Sequence, residues 1–165
     1  IVRLDDEHAV QPRVVSISQS TELGTLYSLD EVRALAAHAH AHGLVLHMDG
    51  ARITNAAAAL GCSLRAATTD LGVDLVSFGG TKAGLLAGEA VVVLSEEAAI
   101  AMPYLRKQTL QLASKMRFIA AQFEALLEGE RLALGRRLVA DRPSGLALQV
   151  VADQHALGAQ NPDEG

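Results

Sequence analysis

The chain has 165 residues and a formal net charge of −5, so it carries no basic surplus, which argues against nucleic acid as a partner. Hydrophobic residues make up 50% and charged residues 20%, against a globular norm of about 45–50% and about 25%, so most of the length can bury a core and is not intrinsically disordered. Aromatic residues are only 3% and Trp is absent, which leaves Ala, Val and Leu to fill the interior, a texture suited to helices packed closely on a sheet. The one cysteine, Cys62, excludes an internal disulfide framework and points to a reducing compartment, with the cytoplasm as the expected location. No apolar run reaches the ~18–20 residues of a membrane span, and the first residues lack the basic region and apolar stretch of a secretory signal. The chain does not begin with Met, and the expectation is of a piece of a longer reading frame.

In chain order, Arg13 to Gln19 is a β-branched run with partial alternation and predicts a strand. Ser28-Leu-Asp-Glu31 has the spacing of a capping box, and Leu29, Val32, Leu35, Ala36 and Ala39 continue it at helical period to Gly43, where a left-handed terminating residue is expected. Leu44 to Met48 is a nearly continuous apolar strand that ends in Asp49-Gly50. Together these segments predict a strand–helix–strand unit of a parallel sheet covered on both faces. Further units follow, with a short helix over Asn55 to Leu60, a second one capped by Ser63, and buried strands over Leu75 to Phe78 and Ala90 to Leu94. From Tyr104 to Leu127 the pattern predicts one long amphipathic helix, with Pro103 marking its start. Beyond about Gly129 clear signals cease, and the polar tail from Gln160 to Gly165 is expected to be disordered. No internal repeat or low-complexity linker interrupts the chain.

Two blocks carry chemistry, and both lie just beyond predicted strand ends, where ligands of open α/β sheets collect. In His47-Met-Asp49-Gly-Ala-Arg52 an acid and an arginine could fix a planar charged ligand, the carboxylate pairing with a cation and the guanidinium with an oxygen. Read alone, the block fits equally an Asp-Gly turn with its arginine in a surface ion pair. In Phe78-Gly-Gly-Thr81-Lys82-Ala-Gly84 the glycines would let backbone amides approach an anion, with the lysine reaching into the same space. It is neither a phosphate loop of the G-K-[ST] kind nor a G-x-G-x-x-G turn, and the lesser alternative for it alone is a solvated lysine in a glycine loop. A carboxylate after one strand and a lysine after a later one is what a pyridoxal phosphate site requires: the amine bonds the aldehyde, and the carboxylate keeps the pyridine nitrogen protonated so that the ring accepts electrons from the substrate Cα.

These blocks, with Ser18 to Ser28 and the segment Arg106 to Phe118, resemble the threonine aldolase and aromatic amino acid beta-eliminating lyase family over most of Arg13 to Leu127. The resemblance implies an α/β fold: the parallel-sheet part of a fold-type-I large domain over residues 1–102, then over 103–165 a long helix leading toward an incomplete or divergent small domain. It implies a lyase cleaving the Cα–Cβ bond of a β-hydroxy amino acid to glycine and an aldehyde, with pyridoxal 5'-phosphate as cofactor, an amino acid as the small-molecule partner, and a homo-oligomer, dimer or tetramer, for the intact enzyme. The rival implications are another fold-type-I activity, β-elimination or transamination, and an inactive fragment. By position, Lys82 would be the Schiff-base lysine, Asp49 the partner of the ring nitrogen and Arg52 a contact to the phenolic oxygen. Thr81 would hold the phosphate, and Arg117 would approach the phosphate of a neighbouring subunit's cofactor. Ala83 departs from the Asn usual after the lysine in this sub-type. The glycine loop for the phosphate and the ring-stacking histidine are expected from sequence before Ile1. The arginine for the substrate carboxylate is not identifiable among Arg131, Arg136, Arg137 and Arg142, and the resemblance is expected to cease after Gly129.

Three other features read as structural. His38 and His42 share a helix face, but no third ligand completes a zinc site, so His38, His40 and His42 read as a solvated face and no metal is expected. His47 reads as hydrogen-bonded behind the cofactor, and Cys62 as a small buried residue without an activating partner.

Overall fold

The computed structural model describes residues 3, 5–128 and 147–151. The first unit forms as the sequence predicts, from β1 (Val14–Ser18) through α1 (Leu29–Ala41) to β2 (Val45–Gly50). At the start of α1 the Ser28 Oγ accepts from the Glu31 amide at 3.3 Å, and the Glu31 carboxylate accepts from the Ser28 amide at 2.7 Å. These bonds, the backbone one foremost, hold the Glu31 carboxyl below its ordinary pKa. The helix ends at Gly43, whose φ of +66° suits a residue without Cβ. There the Leu44 amide donates to the Ala39 carbonyl and the Gly43 amide to that of His40, which satisfies two otherwise orphaned acceptors.

The chain then passes through α2 (Ile53–Leu60), α3 (Leu64–Ala67, capped by Ser63) and a single 3-10 turn, Thr69–Leu71, into β3 (Leu75–Phe78). A connection over residues 79–88 leads to β4 (Glu89–Val93), followed by α4 (Glu96–Gln108), α5 (Met116–Glu128) and β5 (Ala147–Val151). The described strands form one sheet in the order β1-β2-β3-β4-β5. β1, β2 and β3 are mutually parallel, whereas β4 is antiparallel to β3 and to β5. This corrects the expectation of parallel units throughout: residues 79–88 are too few for the dozen or more that a parallel crossover needs, so the chain turns back on itself.

Helices α1, α2, α3 and α5 cover one face of the sheet. Ile17, Leu46, Met48, Val76, Phe78 and Ala90 point into a core shared with Val32, Ala36 and Ala39 of α1, Ile53, Ala56 and Ala57 of α2, and Phe123 and Leu126 of α5. Each fully buried leucine or methionine here stabilises by about 1.5–3 kcal/mol. The opposite face was expected to be covered too. Across β1, β2 and β3 it is open among the described residues, with Val14, Ser16 and Asp49 exposed and Ser18, His47 and Ser77 half-buried, whereas on β4 Val93, the register partner of Leu75, is buried.

The predicted long helix over Tyr104 to Leu127 is two helices. Pro103 lies inside α4 rather than at its start; the start is Ser95, whose side chain accepts from the Ala98 amide, with Glu96 and Glu97 in the first turn favoured by the helix dipole. The break has a local cause. The Thr109 hydroxyl turns back to the Leu105 carbonyl at 2.8 Å, and Leu110 takes a φ of +61° that stops helix propagation. The expectations placed on Gln160 to Gly165 and on Arg131, Arg136, Arg137 and Arg142 lie outside the described residues.

A buried carboxylate ties this architecture together. Asp74, at the entry to β3, accepts from the Leu46 amide at 2.7 Å and contacts His40 Nε2 at 2.8 Å, while its own backbone joins Leu46 and Leu94. His40, read from sequence as one of three solvated histidines, is thus an anchor between α1 and the sheet. Asp74→Ala leaves the buried Leu46 amide without an acceptor. It should lower the unfolding free energy by about 2–3 kcal/mol, measured by urea denaturation, with His40→Ala costing less.

Candidate active site

The two blocks meet at one edge of the sheet. Pairing of β2 with β3 sets Asp49 opposite Ser77 and Gly50 opposite Phe78, so the neighbouring parallel strands release their chains side by side. Their ends are drawn close: a Cβ at Gly79 would lie 2.5 Å from the Ala51 carbonyl oxygen and 2.7 Å from its Cα, a contact that only glycine permits. Asp49 is exposed at the end of β2, and its Oδ1 accepts from the Ala51 amide at 3.0 Å, which fixes the turn that follows. Arg52 caps the N-terminus of α2 by position only, with no side-chain capping bond. No ion pair joins it to another described residue, so the surface-pair alternative is not what is found.

Lys82 lies in a short 3-10 turn, Thr81–Ala83, just beyond β3. The Ala83 and Leu85 amides both donate to the Gly80 carbonyl and the Gly84 amide to that of Thr81, which closes a tight loop. Lys82 and Thr81 are exposed. The loop is held from behind by α5, a role the sequence did not signal. The Gln122 side-chain oxygen accepts from the Leu86 amide at 2.9 Å, and the buried Phe123 ring packs where side chains at Gly80 or Gly88 would otherwise sit. Only the helical period marked Phe123 as apolar, and nothing marked Gln122.

Under Asp49, on the open face, His47 spans three strands: Nδ1 lies 2.8 Å from the Ser16 hydroxyl on β1, and Nε2 2.9 Å from the Ser77 hydroxyl on β3. Burial pushes its pKa below the ordinary histidine value, opposed by the weaker influence of Asp49. The expectation that His47 is hydrogen-bonded rather than a free base agrees with these contacts. Arg117, by contrast, is exposed at the start of α5, its guanidinium 4.7 Å from the centre of the Phe118 ring. Nothing among the described residues of this single chain brings it to Asp49 or Lys82. Cys62 is half-buried, and burial raises its pKa, so the thiol is a poor nucleophile. The His38 and His42 rings are tilted against each other with centres 4.4 Å apart, and among the described residues no group of three or more His, Cys, Asp or Glu could hold a metal.

The donor set fits pyridoxal phosphate: an exposed carboxylate, an unpaired guanidinium and an exposed amine gather at the carboxyl ends of two neighbouring strands whose other side chains are apolar, hydroxyl or the His47 imidazole. The beta-eliminating lyase family model matches residues 1–161. The chain belongs to this family. The match runs well past Gly129 and corrects the expectation that the resemblance stops there.

Among curated relatives, the low specificity L-threonine aldolase of Pseudomonas aeruginosa is 42% identical over 163 residues, 99% of this chain and 47% of its own length. The enzyme of the same name from a Pseudomonas sp. is 46% identical over 127 residues, 77% of this chain and 37% of its own. A solved structure of Leishmania major threonine aldolase superposes with a TM-score of 0.69 at 34% identity, covering 80% of this chain and 39% of that one. The chain therefore spans about half the length, or less, of these relatives. Beta-eliminating lyases and threonine aldolases are pyridoxal phosphate-dependent enzymes, and the α/β fold is the fold type I that the resemblance implied.

Gly79→Ala should drive the ends of β2 and β3 apart. A loss of about 1–3 kcal/mol in stability is expected from such overpacking, together with weaker pyridoxal phosphate binding followed by visible absorbance; native stability would mean that the close approach is not needed.

Proposed function

We propose that this chain carries the pyridoxal phosphate end of an aldehyde-lyase that cleaves the Cα–Cβ bond of a threonine-like β-hydroxy amino acid to glycine and an aldehyde. The observation that carries this reading is the release of Asp49, Arg52 and Lys82 from the carboxyl ends of the adjacent parallel strands β2 and β3, in a chain 42% identical to an enzyme named low specificity L-threonine aldolase.

When bound, the cofactor supplies a protonated ring that accepts electrons from the substrate Cα. Asp49 holds the proton on the ring nitrogen, a task that a carboxylate does by charge and that an amide cannot repeat. Arg52 binds the phenolic oxygen, Lys82 supplies the amine for covalent attachment, and Thr81 contributes a donor to the phosphate. Arg117 sits far along the chain on a separate helix, and its proposed role is toward the cofactor phosphate of a second copy, in a homo-oligomer working in the cytoplasm. Residues 1–102 form the large-domain part and residues 103–165 lead toward the small domain. No helix among the described residues is long and apolar enough to cross a membrane.

The chain has three lysines, Lys82, Lys107 and Lys115. Borohydride reduction in the presence of pyridoxal phosphate, followed by peptide mapping, should place the label on Lys82; label on Lys107 or Lys115 instead would overturn the assignment. Asp49→Ala and Asp49→Asn should each lower turnover of threonine in the whole protein by about 10²-fold or more, a larger loss than in cofactor affinity, because the carboxylate acts mainly in the transition state. Glycine release and absorbance titration measure the two effects separately, and near-normal turnover in either variant would remove Asp49 from this role.

A further inference from the structure

The open face of the sheet carries a polar row directly under Asp49. On this face β1 presents Val14, Ser16 and Ser18, β2 presents Val45, His47 and Asp49, and β3 presents Leu75 and Ser77, as strand alternation and the observed register require. Asp49 is the ionisable residue among those facing His47. Both ring nitrogens of His47 are engaged, Nδ1 by Ser16 and Nε2 by Ser77, and Ser77 is itself the register partner of Asp49.

A neutral imidazole satisfies both contacts, since its N–H donates to one serine while the other serine donates to the bare nitrogen. Protonation would add no hydrogen-bond partner and would place a charge in a half-buried position. The side chains of residues i and i+2 on one strand face lie about 7 Å apart, so a cation at His47 would act on the Asp49 carboxylate from close range.

We propose that His47 is a positioning residue for Asp49: uncharged and braced between Ser16 and Ser77, it fixes the end of β2 and leaves the Asp49 charge uncompensated. The use of that charge rests on the proposed pairing of Asp49 with the cofactor ring nitrogen. The bracing itself is independent of the cofactor.

NMR titration of the full chain, following the His47 ring by 15N and the Asp49 carboxyl by 13C, tests the inference with no cofactor present. His47 should titrate below the ordinary histidine range with one tautomer dominant above it, and the Asp49 signal should show a second step at the His47 midpoint. Ser77→Ala should move that midpoint and mix the tautomers. His47→Gln should abolish the second step while circular dichroism stays native. A midpoint at or above the ordinary value, or an Asp49 signal indifferent to both substitutions, would overturn the proposal. Should His47→Gln not fold, the Ser16→Ala and Ser77→Ala titrations decide it in the same way. Addition of pyridoxal phosphate then separates the two readings. With ring-15N-labelled cofactor, a ring nitrogen equally protonated in Asp49→Asn would sink the ring-nitrogen role, with His47 still judged by NMR; a ring nitrogen that loses its proton in Asp49→Asn but is unchanged in His47→Gln would sink the positioning role alone.

Discussion

The in-register parallel pairing of β2 with β3 is the constraint on which the site depends. Because the strands run the same way and end at the same level, the residues that follow them enter one space, and the Gly79–Ala51 approach leaves no room for a side chain to hold them apart. Asp49 and Arg52 come from one strand end and Thr81 and Lys82 from the next. Had β3 been antiparallel to β2, the lysine loop would have emerged at the other edge of the sheet. Asp74 secures the same pairing at its far end, where its carboxylate and backbone join Leu46 of β2, His40 of α1 and Leu94 after β4.

Much of this was legible in the sequence because local chemistry decided it. The Ser28/Glu31 capping box, the Gly43 terminus and the apolar runs of β1 to β4 are short-range signals, and each agrees with the structure within a residue or two. The HxDGAR block and the glycine-bounded lysine were legible for a second reason: their residue types are those that the chemistry of the proposed cofactor site calls for. What escaped the sequence was set at longer range. The direction of β4 follows from the brevity of residues 79–88, and the break between α4 and α5 from a threonine back-bond and a left-handed Leu110, where hydrophobic period alone ran straight on. The partner of His40 lies on another element, and no spacing within α1 could reveal it.

The sheet is sided in both packing and chemistry. One face carries the aliphatic core under α1, α2 and α5, and the other carries hydroxyls, an imidazole and the Asp49 carboxylate. A parallel strand normally reads apolar on both faces, so the serine and histidine positions of β1, β2 and β3 are departures from packing that fit a ligand-facing surface. At the strand end the Asp49 carboxylate accepts from the Ala51 amide and is exposed, with no salt bridge to another described residue.

The central claim is that Asp49 keeps the ring nitrogen of bound pyridoxal phosphate protonated, and the most direct measurement is the 15N chemical shift of ring-labelled cofactor bound to the protein. The account predicts a protonated-pyridinium shift that persists well above the pH at which the free ring loses its proton, and its loss in Asp49→Asn. A ring nitrogen that is unprotonated in the native protein, or one equally protonated in Asp49→Asn, would contradict it.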